Sequence, residues 1–328
     1  MSERKATAAA GDIEHIDFDD NRLVAALAGE HDAHLAILED ALGVRIDPRG
    51  NRFAVTGAEG ARARAIAALS SLYARVARGD QIGDGDVRAA AKLSERPQET
   101  AGEPVPAIKT PKRPIMARTP NQALYLRALA THDLTFGVGP AGTGKTYLAV
   151  AHAVGLLLNG HVERIILSRP ALEAGERIGF LPGDMKEKVD PFLRPLYDAL
   201  HDMMHADYVE RRIAAGDIEI APIAFMRGRT LARAAVILDE AQNATPAQMK
   251  MFLTRLGEGA HMAVTGDPTQ TDLPSGQMSG LSDALSVLKD VKGVAEVRFE
   301  AADVVRHPMV ARIIEAYEKR AKRLAAKS

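Results

Sequence analysis

Apolar residues recur along this chain in two rhythms. Short runs rich in Val, Ile, Leu and Ala lie at 134–138, 164–168, 218–222, 235–239, 262–266 and 294–299, and the stretches between them return to apolar positions every three or four residues. Unbroken apolar runs of that length predict strands buried on both faces, and the intervening periodicity predicts helices. Alternation at this spacing predicts an α/β fold, a parallel sheet with helices on both faces, over 119–328. Ahead of it, a helix at 33–42, an extended 44–46, a turn at Arg49-Gly50-Asn51, an extended 53–57 and a helix at 59–78 predict a compact α/β module over 21–92. The first 20 residues read as a polar tail. Between positions 93 and 120 six prolines are interspersed with Lys109, Lys112, Arg113 and Arg118; such a composition cannot bury enough apolar surface to fold alone, so 93–118 is expected to be a linker. The last stretch, 308–327, has helical periodicity and ends basic, as suits a helix C-terminus. No internal repeat is evident.

Chemistry enters at the end of the first buried run. Gly139-Pro140-Ala141-Gly142-Thr143-Gly144-Lys145-Thr146 fits G-x-x-x-x-G-K-[ST] and lies between an apolar strand and an apolar helix, the context a phosphate-cradling loop requires. Glycines let consecutive backbone N–H groups turn toward phosphate oxygens, the helix N-terminus adds positive potential, and Lys145 reaches the outer phosphates. Thr146 would ligate Mg²⁺, and Tyr147 continues the nucleotide-binding segment. A second buried run ends in Asp239-Glu240, at the sheet edge where ligands of such folds bind. Asp239 is expected to hold the magnesium through water, and Glu240 to orient an attacking water. A nucleotide's phosphates and Mg are thus the expected ligands, and the resemblance given below makes the nucleotide ATP.

Bulk composition narrows the rest. The 328 residues carry a formal net charge of -1, so any nucleic-acid site has to be a local patch. Cysteine is absent, which excludes disulfides and thiolate metal sites and fits a reducing, cytoplasmic setting. The longest apolar run, 148–158, contains His152 and is too short to span a bilayer, so no membrane role is expected. Aromatics are 4% of the chain and tryptophan is absent, leaving little for base stacking. His201 and His205 lack a third ligand nearby, and no H-E-x-x-H or G-x-S-x-G occurs, so neither transition-metal nor covalent catalysis is indicated.

The second motif extends to Asp239-Glu240-Ala241-Gln242-Asn243, and a third buried run ends in Val264-Thr265-Gly266-Asp267-Pro268-Thr269-Gln270. With Thr119-Pro120-Asn121-Gln122 before the phosphate loop and Gly179-Phe180-Leu181-Pro182-Gly183-Asp184 after it, positions 119–312 resemble the PhoH-like (phosphate starvation-inducible) ATPases, relatives of superfamily 1 helicases. The resemblance implies a RecA-like P-loop domain. The 21–92 module resembles the KH-like domain of the longer PhoH-like branch, through Leu42-Gly43-Val44 and Arg49-Gly50-Asn51. By the same resemblance Gln122 reads the adenine edge, and Gln270 senses the γ-phosphate or its water, unless it merely caps a turn. Arg306 would then be an arginine finger acting across a subunit boundary, with a surface ion pair as its other reading. The chain after Gln270 is too short for the second RecA-like domain of a helicase, so a homo-oligomer, a hexameric ring among the candidate forms, is expected to close the site.

Arg169, Arg177, Lys186, Lys188 and Arg194 occupy the place where related helicases contact a nucleic-acid backbone, although Glu173, Glu176, Asp184, Glu187 and Asp190 oppose them. A KH module grips phosphate with G-x-x-G; here Gly29-Glu30-His31-Asp32 stands at that place, leaving RNA binding and protein docking both open. The resemblance implies Mg-dependent ATP hydrolysis coupled to binding, remodelling or unwinding of single-stranded RNA in rRNA processing, with an endoribonuclease as partner. The rival reading is an ATP-binding oligomeric switch that recruits the nuclease or a ribosomal factor without motor activity. A small-molecule kinase stands last, since Glu240 followed by Ala241-Gln242 resembles a water-activating element.

Overall fold

The computed structural model of the chain describes residues 13–95, 106–170, 185–305 and 320, with the backbone alone for 185–192. Its chain clusters into two compact units, Met1–Val105 with Ala117–Ala123, and Pro106–Met116 with Leu124–Ser328.

The first unit runs β1 (Ile13–Asp17), α1 (Asn21–Ala28), α2 (Ala33–Leu42), β2 (Arg45–Arg49), β3 (Arg52–Thr56), α3 (Glu59–Ala77) and α4 (Asp84–Leu93). Asp20 starts α1 by accepting from the Arg22 amide, and Gly43 at φ 66° ends α2 in the left-handed conformation that glycine adopts without steric penalty. The sheet is antiparallel in the order β1-β3-β2. Alternate residues Phe53 and Val55 of β3 face a core of Leu27, Leu38, Leu69, Leu72 and Val87. The small α/β module expected ahead of the main sheet is therefore present, with an antiparallel sheet. One boundary differs: Ile13–Asp17, placed in a tail, pairs with β3; helix α4, not singled out in the sequence, falls within the expected 21–92 but for its last residue. In the expected G-x-x-G position Gly29, His31 and Asp32 all have positive φ.

The second unit begins inside the stretch expected to be a linker. β4 (Ala107–Ile108) and β5 (Ile115–Met116) form a small antiparallel hairpin, and α5 (Pro120–Thr131) follows, its residues up to Ala123 counted with the first unit. Then come β6 (Leu134–Val138), α6 (Lys145–Leu158), β7 (Arg164–Arg169), α7 (Met185–Met203), α8 (Ala206–Ala215), β8 (Ile218–Pro222), β9 (Ala234–Leu238), α9 (Pro246–Leu253), β10 (His261–Gly266), α10 (Gly280–Val287) and β11 (Val294–Arg298). Ile115 of the hairpin is buried, and polar contacts add to it: the Lys112 amide donates to the Met203 carbonyl at 3.2 Å, and Arg113 reaches both Asp202 and the Tyr147 hydroxyl.

Six strands form one parallel sheet in the order β11-β6-β10-β9-β7-β8. Every residue of β6 and β9 is buried, which explains why they read as unbroken apolar runs. One face packs Phe136, Val236 and Val264 against Met249 and Phe252 of α9 and Leu281 of α10. On the other, Ala149, His152 and Ala153 of α6 meet Thr135, Ile237 and Ala263. The expected α/β class, a parallel sheet with helices on both faces, is therefore present. Among the described residues no helix is long and apolar enough to cross a membrane. The final basic stretch expected to be helical lies outside the described residues apart from Arg320.

His152 lies between α6 and the sheet, with the ring of His261 centred 6.5 Å away. Burial first, and then His261, push its imidazole down to about 4, against a bond to the Leu129 carbonyl that raises it. Its folded-state value lies below the unfolded one, so the unfolded chain binds the extra proton and stability falls as pH drops from 6.5 toward 4. We expect His152→Gln to remove on the order of 2–3 kcal/mol of that acid sensitivity. Urea midpoints at pH 7.5 and 5 check it: an equal acid loss in both proteins would refute the assignment.

Candidate functional site

The C-terminal ends of β6, β9 and β10 converge on one cluster because β10 lies between the other two. From β6 the chain enters the loop that carries Gly139, Pro140, Ala141, Gly142, Thr143 and Gly144. Gly139 (φ 141°), Gly142 (φ 83°) and Gly144 (φ 84°) take conformations that L side chains rarely adopt, and a Cβ on Gly139 would lie 2.3 Å from the Phe299 carbonyl oxygen. Those torsions turn the backbone into a concavity of the kind that receives anions. Ala141 and Gly142 are exposed and Thr143 is buried, its hydroxyl donating to the Pro140 carbonyl at 3.0 Å. Lys145 opens α6, is 8% exposed, and donates to the Gly139 and Pro140 carbonyls, each at 2.7 Å. Burial draws its ammonium below the ordinary lysine value, while the carboxylates of Asp267, Asp239 and Glu240 pull the other way.

Asp239 is the hub. It is 2% exposed, and its Oδ1 accepts from Thr146 Oγ1 at 2.5 Å and from Thr265 Oγ1 at 2.7 Å. Its Oδ2 accepts from Arg169 Nε at 2.8 Å and from a guanidinium NH₂ of the same residue. Glu240 follows in the left-handed conformation (φ 52°), a strain of about 1–2 kcal/mol for a side chain with a Cβ. Its carboxylate is 48% exposed, and Oε2 is held by Gln242 Nε2 at 2.6 Å. Gln242 is buried, and its Oε1 accepts from the Asp267 amide at 3.1 Å. Asp267 in turn accepts from Gln270 Nε2 at 2.9 Å and from Thr269. Asn243 and Asp272 exchange two bonds that tie the β9 exit to the β10 exit. A cleft of about 520 Å³ opens beside these residues, lined by Arg169, Glu240, Gln242, Asn243, Gln270 and Asp272.

The structure thus joins Lys145, Thr146, Asp239, Glu240 and Gln270 in one neighbourhood. Tyr147 belongs to a different cluster, its hydroxyl donating to Asp202 at 2.6 Å and accepting from Arg113 at 3.0 Å. Gln122 stands on the first turn of α5, buried, with Oε1 accepting from the Arg118 amide at 2.7 Å. Arg169, expected among the RNA contacts, is bonded to Asp239, and Arg194 is exposed on α7. Lys186 and Lys188 fall in α7 with side chains outside the described residues, as do Arg177 and Arg306 entirely. The last described residue before Arg306, Val305, donates its amide to the Gly142 carbonyl at 3.1 Å. Sequence reasoning gave no task to Gln242, Thr265 or Asp267. All three lie within the motifs that carry the family resemblance, at or just beyond the ends of buried strands.

Residues 114–318 match the family model for PhoH-like protein. The chain belongs to the PhoH-like family. It is 52% identical over 297 residues to a PhoH-like protein of Bacillus subtilis, covering 89% of this chain and 93% of that one. A PhoH-like protein of Synechocystis is 50% identical over 298 residues, 90% of this chain and 91% of its own. The Escherichia coli protein PhoH is 50% identical over 206 residues, 62% of this chain and 58% of its own. A crystal structure of Pif1 helicase from Candida albicans aligns with 55% of this chain and 39% of that one at 11% identity and a TM-score of 0.29, a likeness too slight to bear on function.

The residues present suit a nucleotide and a hard cation: a glycine-shaped amide concavity, a lysine at its rim, and a hydroxyl and a carboxylate oxygen at 2.5 Å. The PhoH-like chain spends conformational freedom on that concavity, so Gly139→Ala should lower stability by about 1–3 kcal/mol through the clash with Phe299. Chemical denaturation reads this directly, and an unchanged midpoint would show that the loop relaxes at no cost.

Proposed function

We propose that this PhoH-like protein is a cytoplasmic Mg-dependent ATPase whose turnover is coupled to binding, remodelling or unwinding of RNA, in rRNA processing. The observation that carries the hydrolytic half is the shared carboxylate: Asp239 Oδ1 accepts from Thr146 of the phosphate loop while Glu240 beside it stays half exposed and oriented by Gln242. Thr146 and, through water, Asp239 would hold magnesium, which when bound neutralises phosphate charge. Lys145 leaves the loop carbonyls for phosphate oxygens, so the same ammonium holds the loop's own oxygens or the ligand's. Glu240 accepts a hydrogen bond from the attacking water and aligns it, the main protein task in phosphoryl transfer. Gln270, held on Asp267, is assigned to pass a change at the outer phosphate to the loop 271–278. Gln122 is assigned to adenine, and Arg306 to phosphate charge in a neighbouring protomer of a ring.

RNA is supported by the family resemblance; the favoured RNA is single-stranded, and an endoribonuclease is the proposed partner. The oligomeric switch is the second reading, and the coupling of Glu240 to the β10 loop through Gln242 and Asp267 suits it equally, because such a network transmits shape without requiring movement along RNA.

ATP turnover with and without single-stranded RNA, beside strand separation of a tailed duplex, decides between them. Stimulation with unwinding supports the motor; unstimulated turnover with nucleotide-dependent partner binding supports the switch. Glu240→Gln should bind nucleotide normally and lose turnover by roughly 100-fold or more, and Lys145→Ala should weaken nucleotide binding itself. Gln242→Leu is expected to resemble Glu240→Gln in milder form, retaining nucleotide. Normal turnover in the Glu240 variant would remove that residue from the chemistry.

A further inference from the structure

Asp239 turns its two oxygens to different partners. Oδ1 belongs to the hydroxyls of Thr146 and Thr265, whereas Oδ2 is taken from two directions by one guanidinium, that of Arg169. The Arg169 side chain is only 16% exposed and also stands 3.9 Å from Glu240. A forked contact between arginine and carboxylate at this depth is among the stronger polar interactions, and parting it without a substitute leaves a buried charge unpaired. Lys145 offers no such substitute, since its ammonium is engaged by loop carbonyls. Arg169 does not belong to the phosphate loop. It ends β7, with Pro170 next, and its side chain lines the cleft shared with Glu240, Asn243, Gln270 and Asp272.

We propose that Arg169 is a latch on the metal position: its guanidinium and a cation-bound water compete for Asp239 Oδ2, so cation uptake moves Arg169 off the carboxylate and into the adjoining cleft. The inference rests on the reading of Thr146 and Asp239 as the metal side of the site. It carries an unusual sign. An arginine that serves a nucleotide site by touching phosphate weakens binding when removed. Removal of a rival cation does the reverse, because a buried carboxylate stripped of its partner gains more from the metal that replaces it. The released guanidinium enters a space that already holds Glu240 and Gln270, so the same movement alters the surroundings of the proposed water-orienting residue.

The test uses the full chain with a non-hydrolysable ATP analogue and Mn²⁺, whose free form is counted by electron paramagnetic resonance. Arg169→Gln should take up nucleotide-dependent Mn²⁺ at roughly fivefold lower concentration than the parent, or better, with Arg169→Lys between them because a single ammonium cannot fork. In an Asp239→Asn background the Arg169 substitution should make no difference. Equal or weaker uptake by Arg169→Gln, with the parent binding normally, overturns the latch and leaves the magnesium reading intact; absence of uptake by the parent removes both. Should Arg169→Gln fail to fold by its thermal melt, Arg169→Lys decides alone, and uptake no tighter than the parent's counts against the latch.

Discussion

A carboxylate buried to 2% exposure cannot stand without partners, and the arrangement around Asp239 follows from that requirement. Its backbone amide donates to Ser168, while Thr146, Thr265 and Arg169 supply its side-chain bonds. These donors come from the phosphate-loop helix and from the two strands beside β9. Satisfying one charge therefore holds three chain segments in register at the sheet's C-terminal edge. A group whose loss would strand a buried charge fixes geometry more tightly than an exposed pair could. The exposed pairs elsewhere, such as Arg22 with Asp20 or Arg45 with Asp47, are solvated and bind nothing together over a distance.

Strand order makes this convergence possible. With β10 between β6 and β9, the residue that ends one strand is a neighbour of the residues that end the other two, and Thr265 stands next to Asp239 across the sheet. Gly266 serves the same end: a Cβ there would meet Gln242 Oε1 at 2.6 Å, so the glycine leaves room for the amide that holds both Glu240 and Asp267. Gln242 is thus a bracket between two loops. Its carbonyl accepts from Ser279 at 2.8 Å, which brings the start of α10 into the same network. A change at any of these loops has few soft places in which to be absorbed.

The hairpin of β4 and β5 is held by a different logic. Two-residue strands offer few ladder bonds, and beside the buried Ile115 the hairpin rests on polar contacts to the end of α7 and the first turn of α6. Asp202 serves Arg113 and Tyr147 together, and those bonds hold its carboxyl below the usual range despite partial burial that opposes the shift. Tyr147, adjacent in sequence to the residue that bonds Asp239, is thereby tied to the outer hairpin rather than to the carboxylate cluster.

Much of this was legible because it is local. The G-x-x-x-x-G-K-T loop, its strand-to-helix context and the acidic pair after a buried run each lie within a few consecutive residues, and sterics and periodicity act at that range. Arrangement across the sheet was not legible. Asp239 meets Thr146 and Arg169 across 93 and 70 positions of chain, and no one-dimensional pattern distinguishes the arginine bonded there from other strand-end arginines. β1 escaped notice because most of its residues are exposed, so alternation had little contrast, and α4 because its buried face is largely alanine. The hairpin was hidden in a proline-rich stretch whose order comes from side chains on distant helices. Local residues determined which chemistry the chain can carry; the sheet's strand order, a property of long-range packing, decided which of them meet around one buried charge.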